Sequence, residues 1–230
     1  MVKLNRKALK HKLEAYKRSP QSLVLYLLVV VATVLTIGIL LYLIGYILIT
    51  GIPYITPDLF AWQYTTANVS LMPALINTVL MTFIALLIAA PVGIFSAIYL
   101  VEYAKRGNKF VGVIRLTTET LSGIPSIVYG LFGLLFFVTT LGWGMSLLAG
   151  AFTLAIMILP LIMRTAEEAL KAVPDAYREG SFGLGAGKLR TVFKIVLPSA
   201  VPGIVAGIIL GIGRIVGETA PLIYTAGTVA

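Results

Sequence analysis

The chain has 230 residues, of which 59% are hydrophobic and only 12% are charged. Soluble domains carry roughly a quarter charged residues, so this composition indicates a chain that lies in a lipid bilayer. Cysteine is absent and the single histidine is His11 in the N-terminal segment, which excludes disulfides and thiolate metal sites and argues against histidine chemistry. The net charge of +9 fits basic loops beside anionic lipid headgroups better than nucleic acid, because no nucleic-acid-binding motif is visible.

The N-terminal part of the chain predicts a basic segment followed by membrane-spanning helices. Residues 1–20 hold seven Lys and Arg among apolar residues at near-helical spacing, which fits either an amphipathic surface helix or a charged tail. Residues 23–49 are uncharged and apolar, longer than the ~20 residues that cross a bilayer, and residues 71–101 predict a second span. We therefore divide the chain into a basic segment 1–21 and a transmembrane domain 22–230.

Three further spans are predicted, at about 116–141, 146–163 and 198–222. Lys and Arg residues number 7, 0, 4, 0 and 6 in the successive connectors. Because basic connectors stay in the cytoplasm, this alternation places the N-terminus, the 102–115 connector and the 164–194 stretch on the cytoplasmic side. Segments near Asp58 and Trp143 then face the opposite side. The prediction is an all-α, multi-pass bundle with five visible spans.

The stretch 164–197 is the longest polar interruption after the N-terminal segment, and it lies between two predicted spans. Pro174 followed by Asp175 predicts the start of a short helix. The closely spaced glycines that follow, including Gly185, predict the point where the chain turns back. From these features alone, the stretch is either a docking element for a partner or a plain loop that connects two spans.

A nucleotide-binding loop is excluded within this stretch. Residues 183–188 read Gly-Leu-Gly-Ala-Gly-Lys, but Phe182 stands where the phosphate-binding pattern requires its first glycine. Leu189 replaces the hydroxyl residue that would bind magnesium, and no strand is predicted before the loop. The chain is therefore not expected to hydrolyse nucleotide.

The spacing of the polar stretch resembles the cytoplasmic signature of ABC importer permease subunits, E-A-A-x3-G-x9-I-x-L-P. The matching residues are Glu179, Gly180, Ser181, Gly185, Ile195, Leu197 and Pro198. Gly180 and Ser181 replace the two alanines, and both are small enough to preserve close helix packing. Longer strings, including 123–133 and 217–222, are similar to phosphate-specific importer permeases, in particular the PstA-type subunit. The resemblance covers about 77–226 and implies a type I importer permease fold.

The resemblance implies a function for that fold: an inner-membrane permease subunit for inorganic phosphate, neither an enzyme nor dependent on a cofactor. It implies that a helix at residues 179–185 sits in a cleft of a cytoplasmic ATPase, whose closure switches the permease from inward-open to outward-open. The implied partners are a paralogous permease, two ATPase subunits and an external phosphate-binding protein. Such permeases ordinarily continue into a sixth span, which is missing from the 230 residues, so we expect either a fragment of a longer chain or a shortened protein.

Three other functions are weighed against this one. A permease of the same architecture for another oxyanion or small solute stays open, as does a membrane scaffold or sensor that transports nothing. An intramembrane enzyme is not expected, because the spans contain no nucleophile–base set and no metal ligands.

Charged residues inside predicted spans give the candidate substrate pathway. Arg214 lies sixteen residues after Pro198, about 24 Å along the fifth predicted helix, and Glu218 follows one turn later. Their i, i+4 spacing predicts a shared helix face, where they either form an ion pair that locks helices or bind an anion through Arg214, with Glu218 orienting it. Arg164, at the predicted end of the fourth span, either contacts lipid headgroups or forms a second anion station.

Two shorter patterns predict packing. Arg115 and Glu119 are four residues apart, which favours a structural ion pair. Gly203, Gly207 and Gly211 repeat at four-residue spacing, which predicts close helix contact within the bundle or with a second permease.

Overall fold

A computed structural model of the protein describes residues 20–66, 68–105 and 107–227. The described residues form helices and connecting turns, with no strand among them. Their contacts divide the chain into two compact units, Met1–Leu71 and Met72–Ala230. Most of the predicted basic segment 1–21 lies outside the described residues.

The first unit contains one long helix, α1 (Pro20–Gly51), which continues into short 3-10 turns at Ile52–Tyr54 and Pro57–Phe60. The helix is uncharged and nearly all of its side chains are exposed. An exposed apolar helix of 32 residues requires an apolar surrounding and exceeds the length that a bilayer needs. The predicted first span is therefore confirmed as a helix.

The second unit contains seven helices in its described residues. They are α2 (Met72–Tyr103), α3 (Lys109–Ser122), α4 (Ser126–Thr140), α5 (Leu147–Lys171), α6 (Asp175–Gly183), α7 (Lys188–Val216) and α8 (Ala220–Thr225). The α5 helix is central, because it packs against both α2 and α7 and buries Leu154, Ile158 and Ile162. Four described helices, α1, α2, α5 and α7, are long and apolar enough to cross a membrane.

The predicted third span at 116–141, in which Pro125 indicated a bend, consists of two helices. The chain forms α3 and α4, whose axes are bent by 101° at residues 123–125. Pro125 lacks a backbone N–H and disfavours helical geometry in the residue before it, so the first helix ends at Ser122. The number of spans rises to five only if this bent pair is counted as one.

The helices that contain the last two predicted spans have different limits from those spans. The α5 helix continues two turns past residue 163 to Lys171, because the i, i+4 ion pairs in this polar part support a helix. The α7 helix begins ten residues before Pro198, with a π-helical turn at Val192–Val196 that precedes the proline. It ends at Val216, well before residue 222. The polar stretch 164–197 is therefore two helix ends, a turn and a short helix.

Glycines allow close backbone contact between α5 and α7. A Cβ atom added to Gly203 would lie 2.6 Å from the Ala169 Cβ, and one on Gly207 would lie 2.8 Å from the Thr165 Cβ. Gly211 leaves only ordinary contacts of 3.8 Å with Ile162. Packing within the bundle thus accounts for Gly203 and Gly207. Of the two predicted alternatives, contact within the bundle and contact with a second permease, the structure shows the first for these two glycines.

Candidate functional site

The α6 helix starts and stops where the local sequence directs. Pro174 has extended backbone angles and caps the helix, and Asp175 places its carboxylate in the first turn, where the helix dipole is positive. The chain reverses at Gly185, whose φ of +79° suits glycine because other residues are strained there. Its N–H donates to the Phe182 carbonyl at 2.9 Å. The predicted helix start and glycine turn are confirmed.

Arg178 attaches α6 to two other helices. Its Nη2 and Nε atoms donate to Glu102 Oε1 at the end of α2, at 2.7 and 3.1 Å. Nη2 also donates to the Leu170 carbonyl at the end of α5, at 2.9 Å, and Nη1 donates to the Val173 carbonyl in the turn after it, at 2.7 Å. The side chains of Arg178 and Glu102 are only 14% and 8% exposed. A buried pair with this many hydrogen bonds resists separation, because either charge alone would be left without a partner.

Two further contacts complete this group. The Ser181 and Thr191 hydroxyls form a buried hydrogen bond of 2.8 Å that joins α6 to α7. Lys188 Nζ, in the first turn of α7, lies 5.0 Å from the centre of the Tyr103 ring in a cation–π contact. We call the six residues Glu102, Tyr103, Arg178, Ser181, Lys188 and Thr191 the polar junction. It connects α2, α6 and α7 directly and reaches α5 through Arg178.

Exposed side chains, some of them apolar, flank the buried part of α6 and continue into the turn after it. Tyr177 is 53% exposed, Phe182 46% and Leu184 91%. Glu179 is exposed on this helix as well and forms no ion pair with any described residue. Within the described part of the chain, α6 is therefore fixed on one face and open on the other.

The two small residues of the signature have different environments. Ser181 is buried and hydrogen-bonded, so the expected close packing holds there. A Cβ atom on Gly180 would meet nothing within 4 Å, so close packing inside this chain does not explain that glycine.

Ile195, Leu197 and Pro198 lie within one continuous helix. The π-helical turn ends at Val196, which is fully buried, and Leu197 begins the α-helical part of α7. Proline has no N–H to donate to the preceding turn, and the wider π turn accommodates this loss. Ile195 and Leu197 are half-buried and Pro198 is exposed, so this end of the signature lies inside α7 and is not a separate loop.

The ion pair predicted as one alternative for Arg214 and Glu218 is not formed. The α7 helix ends at Val216, with Gly217 as its C-cap, so Glu218 lies beyond the helix that carries Arg214. The two side chains, both described and both half-buried, form no ion pair. Gly217 ends α7 one residue before Glu218, so the helix does not include both members of the i, i+4 pair.

Arg164 has a partner on its own helix. It stands inside α5, seven residues before the helix ends, and pairs with Glu168 at 3.1 Å in an exposed i, i+4 contact. The Gly207–Thr165 contact places it near the level of Gly207, about two turns of α7 from Arg214. The structure therefore does not bring the three predicted pathway residues into one charged cluster.

The predicted Arg115–Glu119 pair is likewise not formed. Arg115 Nη2 bonds Glu167 Oε1 at 2.8 Å, and Lys171 Nζ reaches the same oxygen at 2.6 Å. Glu167 is buried and joins α3 to α5, whereas Glu119 is exposed. A buried carboxylate with two cationic partners is favoured over an exposed pair on one helix.

Sequence reasoning missed Glu102, Arg178 and Glu167 as structural centres. Glu102 and Arg178 are 76 positions apart, so no spacing rule connects them. The available signal was composition alone, because acidic residues are few in this apolar chain and these lie near helix ends. Among the described residues, no group of three or more His, Asp or Glu side chains is placed to hold a metal ion.

Long apolar helices with a short surface helix between two of them define an α-helical, multi-pass membrane protein. A family model described as the inner membrane component of binding-protein-dependent transport systems matches residues 89–229. This match covers more than half of the chain, and the chain belongs to that family.

Two curated relatives carry this assignment further. A probable ABC transporter permease protein, YqgI of Bacillus subtilis strain 168, is 37% identical over 197 residues, which cover 83% of this chain and 65% of the relative. The phosphate transport system permease protein PstA 1 of Mycobacterium tuberculosis H37Rv is 39% identical over 154 residues, covering 67% and 49%. The chain thus spans about half to two thirds of their length. The predicted similarity to PstA-type permeases is confirmed.

A solved structure supports the fold. An inward-facing conformation of the MetNI methionine ABC transporter is 26% identical, with a TM-score of 0.53, and the match covers 64% of this chain and 68% of that one. The predicted all-α, type I importer permease fold is confirmed.

Proposed function

We propose that this chain is the transmembrane permease subunit of an ATP-driven importer of inorganic phosphate. Family membership supports the transport role, and the PstA-named relatives support the substrate. ATP hydrolysis would belong to separate subunits, because the only phosphate-loop-like segment of the chain lacks its essential residues.

The observation that carries this proposal is the two-sided environment of α6. Its inner face is held by the Arg178–Glu102 pair and the Ser181–Thr191 hydrogen bond. Its exposed surface and the turn after it offer apolar groups, Tyr177, Phe182 and Leu184, that suit a groove on a partner. A helix that transmits motion from an ATPase needs both a stiff attachment to the membrane spans and a free surface that the ATPase can bind. We therefore assign Glu179, Gly180, Gly185 and the segment around them to ATPase coupling.

Orientation and partners follow from the same proposal. The alternation of Lys and Arg between connectors favours an inner-membrane protein whose N-terminus and α6 lie in the cytoplasm. The partners would be two cytoplasmic ATPases at α6, a paralogous permease beside the bundle and a phosphate-binding protein on the external side. ATPase closure would then move α2, α5 and α7 together through the polar junction.

Arg214 is the strongest candidate for contact with the anion. It is half-buried near the end of α7 and has no ion-pair partner among the described residues. A guanidinium matches two phosphate oxygens at once. Glu218, beyond the helix, and Arg164, paired with Glu168, are weaker candidates for the same pathway.

Transport of another solute is the second candidate, because the structural relative is named a methionine transporter. The test is co-purification with a paralogous permease and ATPase subunits, followed by ATPase measurement in liposomes with binding protein. Phosphate, sulfate and methionine are compared, each with its own binding protein. Stimulation by phosphate alone is expected; stimulation only by another solute would reject phosphate, and no stimulation by any would reject transport.

A pair of variants tests the docking face separately. Leu184→Asp places a charge on the outer surface beside α6, and we expect it to abolish ATPase co-purification. Trp62→Asp is the matched control, because Trp62 is 76% exposed and is predicted to lie on the opposite side. Equal ATPase recovery with both variants would contradict docking at α6.

A further inference from the structure

A second charged feature lies beside α6, and none of the apolar docking residues Tyr177, Phe182 and Leu184 lines it. A cavity of about 810 Å³ is bounded by the α2–α3 connector, the first turns of α3 and the α5–α6 turn. The charged groups in its lining are five basic residues, Lys105, Lys109, Arg115, Lys171 and Arg178, and two acidic residues, Glu102 and Asp175. Neither the docking surface nor the pathway proposed above accounts for this cavity.

The positive charge of the cavity is not balanced within the described part of the chain. Both acidic residues are bound by Arg178, at 2.7 and 3.1 Å. Arg115 and Lys171 share one carboxylate, that of Glu167. Lys105 and Lys109 form no ion pair with any described residue. A concave site with excess charge of one sign attracts counter-ions strongly.

The shape of the cavity adds a second constraint on its ligand. Its volume falls in the range of sites that hold organic ligands of moderate size. Leu100 and Val111 form part of its wall and are 4% and 7% exposed, so apolar surface adjoins the basic groups. The first turn of α3 borders the same space, and its dipole adds positive potential to that of the lysines.

We propose that this cavity binds a phosphate group, either in the headgroup of an anionic lipid or as free inorganic phosphate. Lysine ammonium groups form strong charge-assisted hydrogen bonds with phosphate oxygens. Lys105 and Lys109 are the main ligands, because the other basic side chains already have acidic partners. The proposal does not depend on the transport function, since it concerns binding by this chain alone.

The test is native mass spectrometry of the full chain in detergent. The chain is titrated with phosphatidylglycerol, with phosphatidylcholine and with inorganic phosphate. Lys105→Gln/Lys109→Gln removes two charges from the cavity, and we expect at least about a tenfold loss of affinity for the phosphate-bearing ligand. Arg190→Gln/Lys194→Gln is the matched control, because it removes the same charge from a different cavity lined by α6–α7 residues. The affinity of this control variant for the phosphate-bearing ligand should change by less than about twofold.

The outcomes separate the sources of the phosphate group. Lysine-dependent retention of phosphatidylglycerol, with neither phosphatidylcholine nor free phosphate retained, identifies a lipid headgroup. Lysine-dependent retention of inorganic phosphate identifies the free ion. Lys105→Arg/Lys109→Arg keeps the charge and should keep binding, which excludes a simple folding defect. Retention that is independent of the lysines, or equal losses in the two Gln double variants, would overturn the proposal.

Discussion

The polar junction and the α5–α7 interface hold the same helices together by opposite means. At the junction, the buried Arg178–Glu102 pair and the hydrogen bonds around it join helix ends that are far apart in sequence. At the interface, Gly203 and Gly207 remove side chains, so that the backbone of α7 lies directly against Ala169 and Thr165. The junction is held by charged and polar side chains, whereas the interface is held by backbone contact that requires glycines without side chains.

This difference explains where free charge is left in the molecule. Acidic residues are few, and those at and beside the junction form ion pairs with Arg178. The α7 helix needs no ion pair, because glycine contacts position it, and Arg214 keeps its charge unpaired within the described chain. In an apolar protein, an unpaired half-buried arginine is costly, which makes it a functional candidate.

The largest expected effect is at the junction. Arg178→Gln leaves the Glu102 carboxylate buried without its partner, and we expect unfolding to become easier by about 3–5 kcal/mol. The double variant Glu102→Gln/Arg178→Gln should recover part of this loss, because no uncompensated charge remains. The measurement is the thermal unfolding midpoint of the purified chain in detergent.

Arg164→Gln is the control for this prediction. Its pair with Glu168 is exposed on both sides, so its loss should cost less than about 1 kcal/mol. If Arg178→Gln and Arg164→Gln lower the unfolding midpoint equally, the junction does not have the role that its burial indicates.

The next effect is at the interface. Gly207→Ala adds a Cβ that would lie 2.8 Å from the Thr165 Cβ. The Thr165 hydroxyl is already bonded to carbonyls of its own helix, which limits its movement. We expect a loss of about 1–3 kcal/mol in unfolding free energy. Gly213→Ala is the control, because it meets nothing within 4 Å and replaces a poor helix former, so it should be neutral or stabilising. An equal loss in both variants would argue against close α5–α7 packing.

A third prediction separates structure from transport and depends on the proposed function. Arg214→Ala should reduce phosphate uptake at least about tenfold while the assembly and unfolding midpoint change little, because no described ion pair is broken. Arg214→Lys keeps the charge but loses the planar fork of donors, so it should retain part of the uptake. Unchanged uptake with Arg214→Ala would remove this residue from the pathway.

The helices were predictable because their signals are local. Apolar runs set the existence of α1, α2, α5 and α7, and Pro174 and Gly185 set the limits of α6. Pro125 indicated the bend between α3 and α4, but an apolar run gives neither the angle of that bend nor its direction. The ends of α5 and α7 were misplaced because polarity was taken as a helix boundary, although ion pairs at i, i+4 extend α5 into water.

The candidate site was predictable only in part. The signature spacing identified the α6 segment but gave no account of how it is attached. The attachment through Arg178 and Glu102 joins residues 76 positions apart, which only tertiary structure reveals. Conversely, Arg214 and Glu218 have the right spacing for a pair, but Gly217 ends the helix between them. Local spacing thus gave a false pair and missed a true one.

The smallest expected effect concerns Gly180, on the free side of the junction. In the signature an alanine stands at this position, and here a Cβ would meet nothing within 4 Å. Gly180→Ala should therefore stabilise α6 by up to ~1 kcal/mol, seen as a slight rise in the unfolding midpoint. Gly185→Ala is its counterpart, because the φ of +79° there strains any residue with a Cβ and should lower the midpoint. If Gly180→Ala leaves the isolated chain intact but weakens ATPase co-purification, the open space beside Gly180 is filled by the partner, which would give this glycine a role in docking.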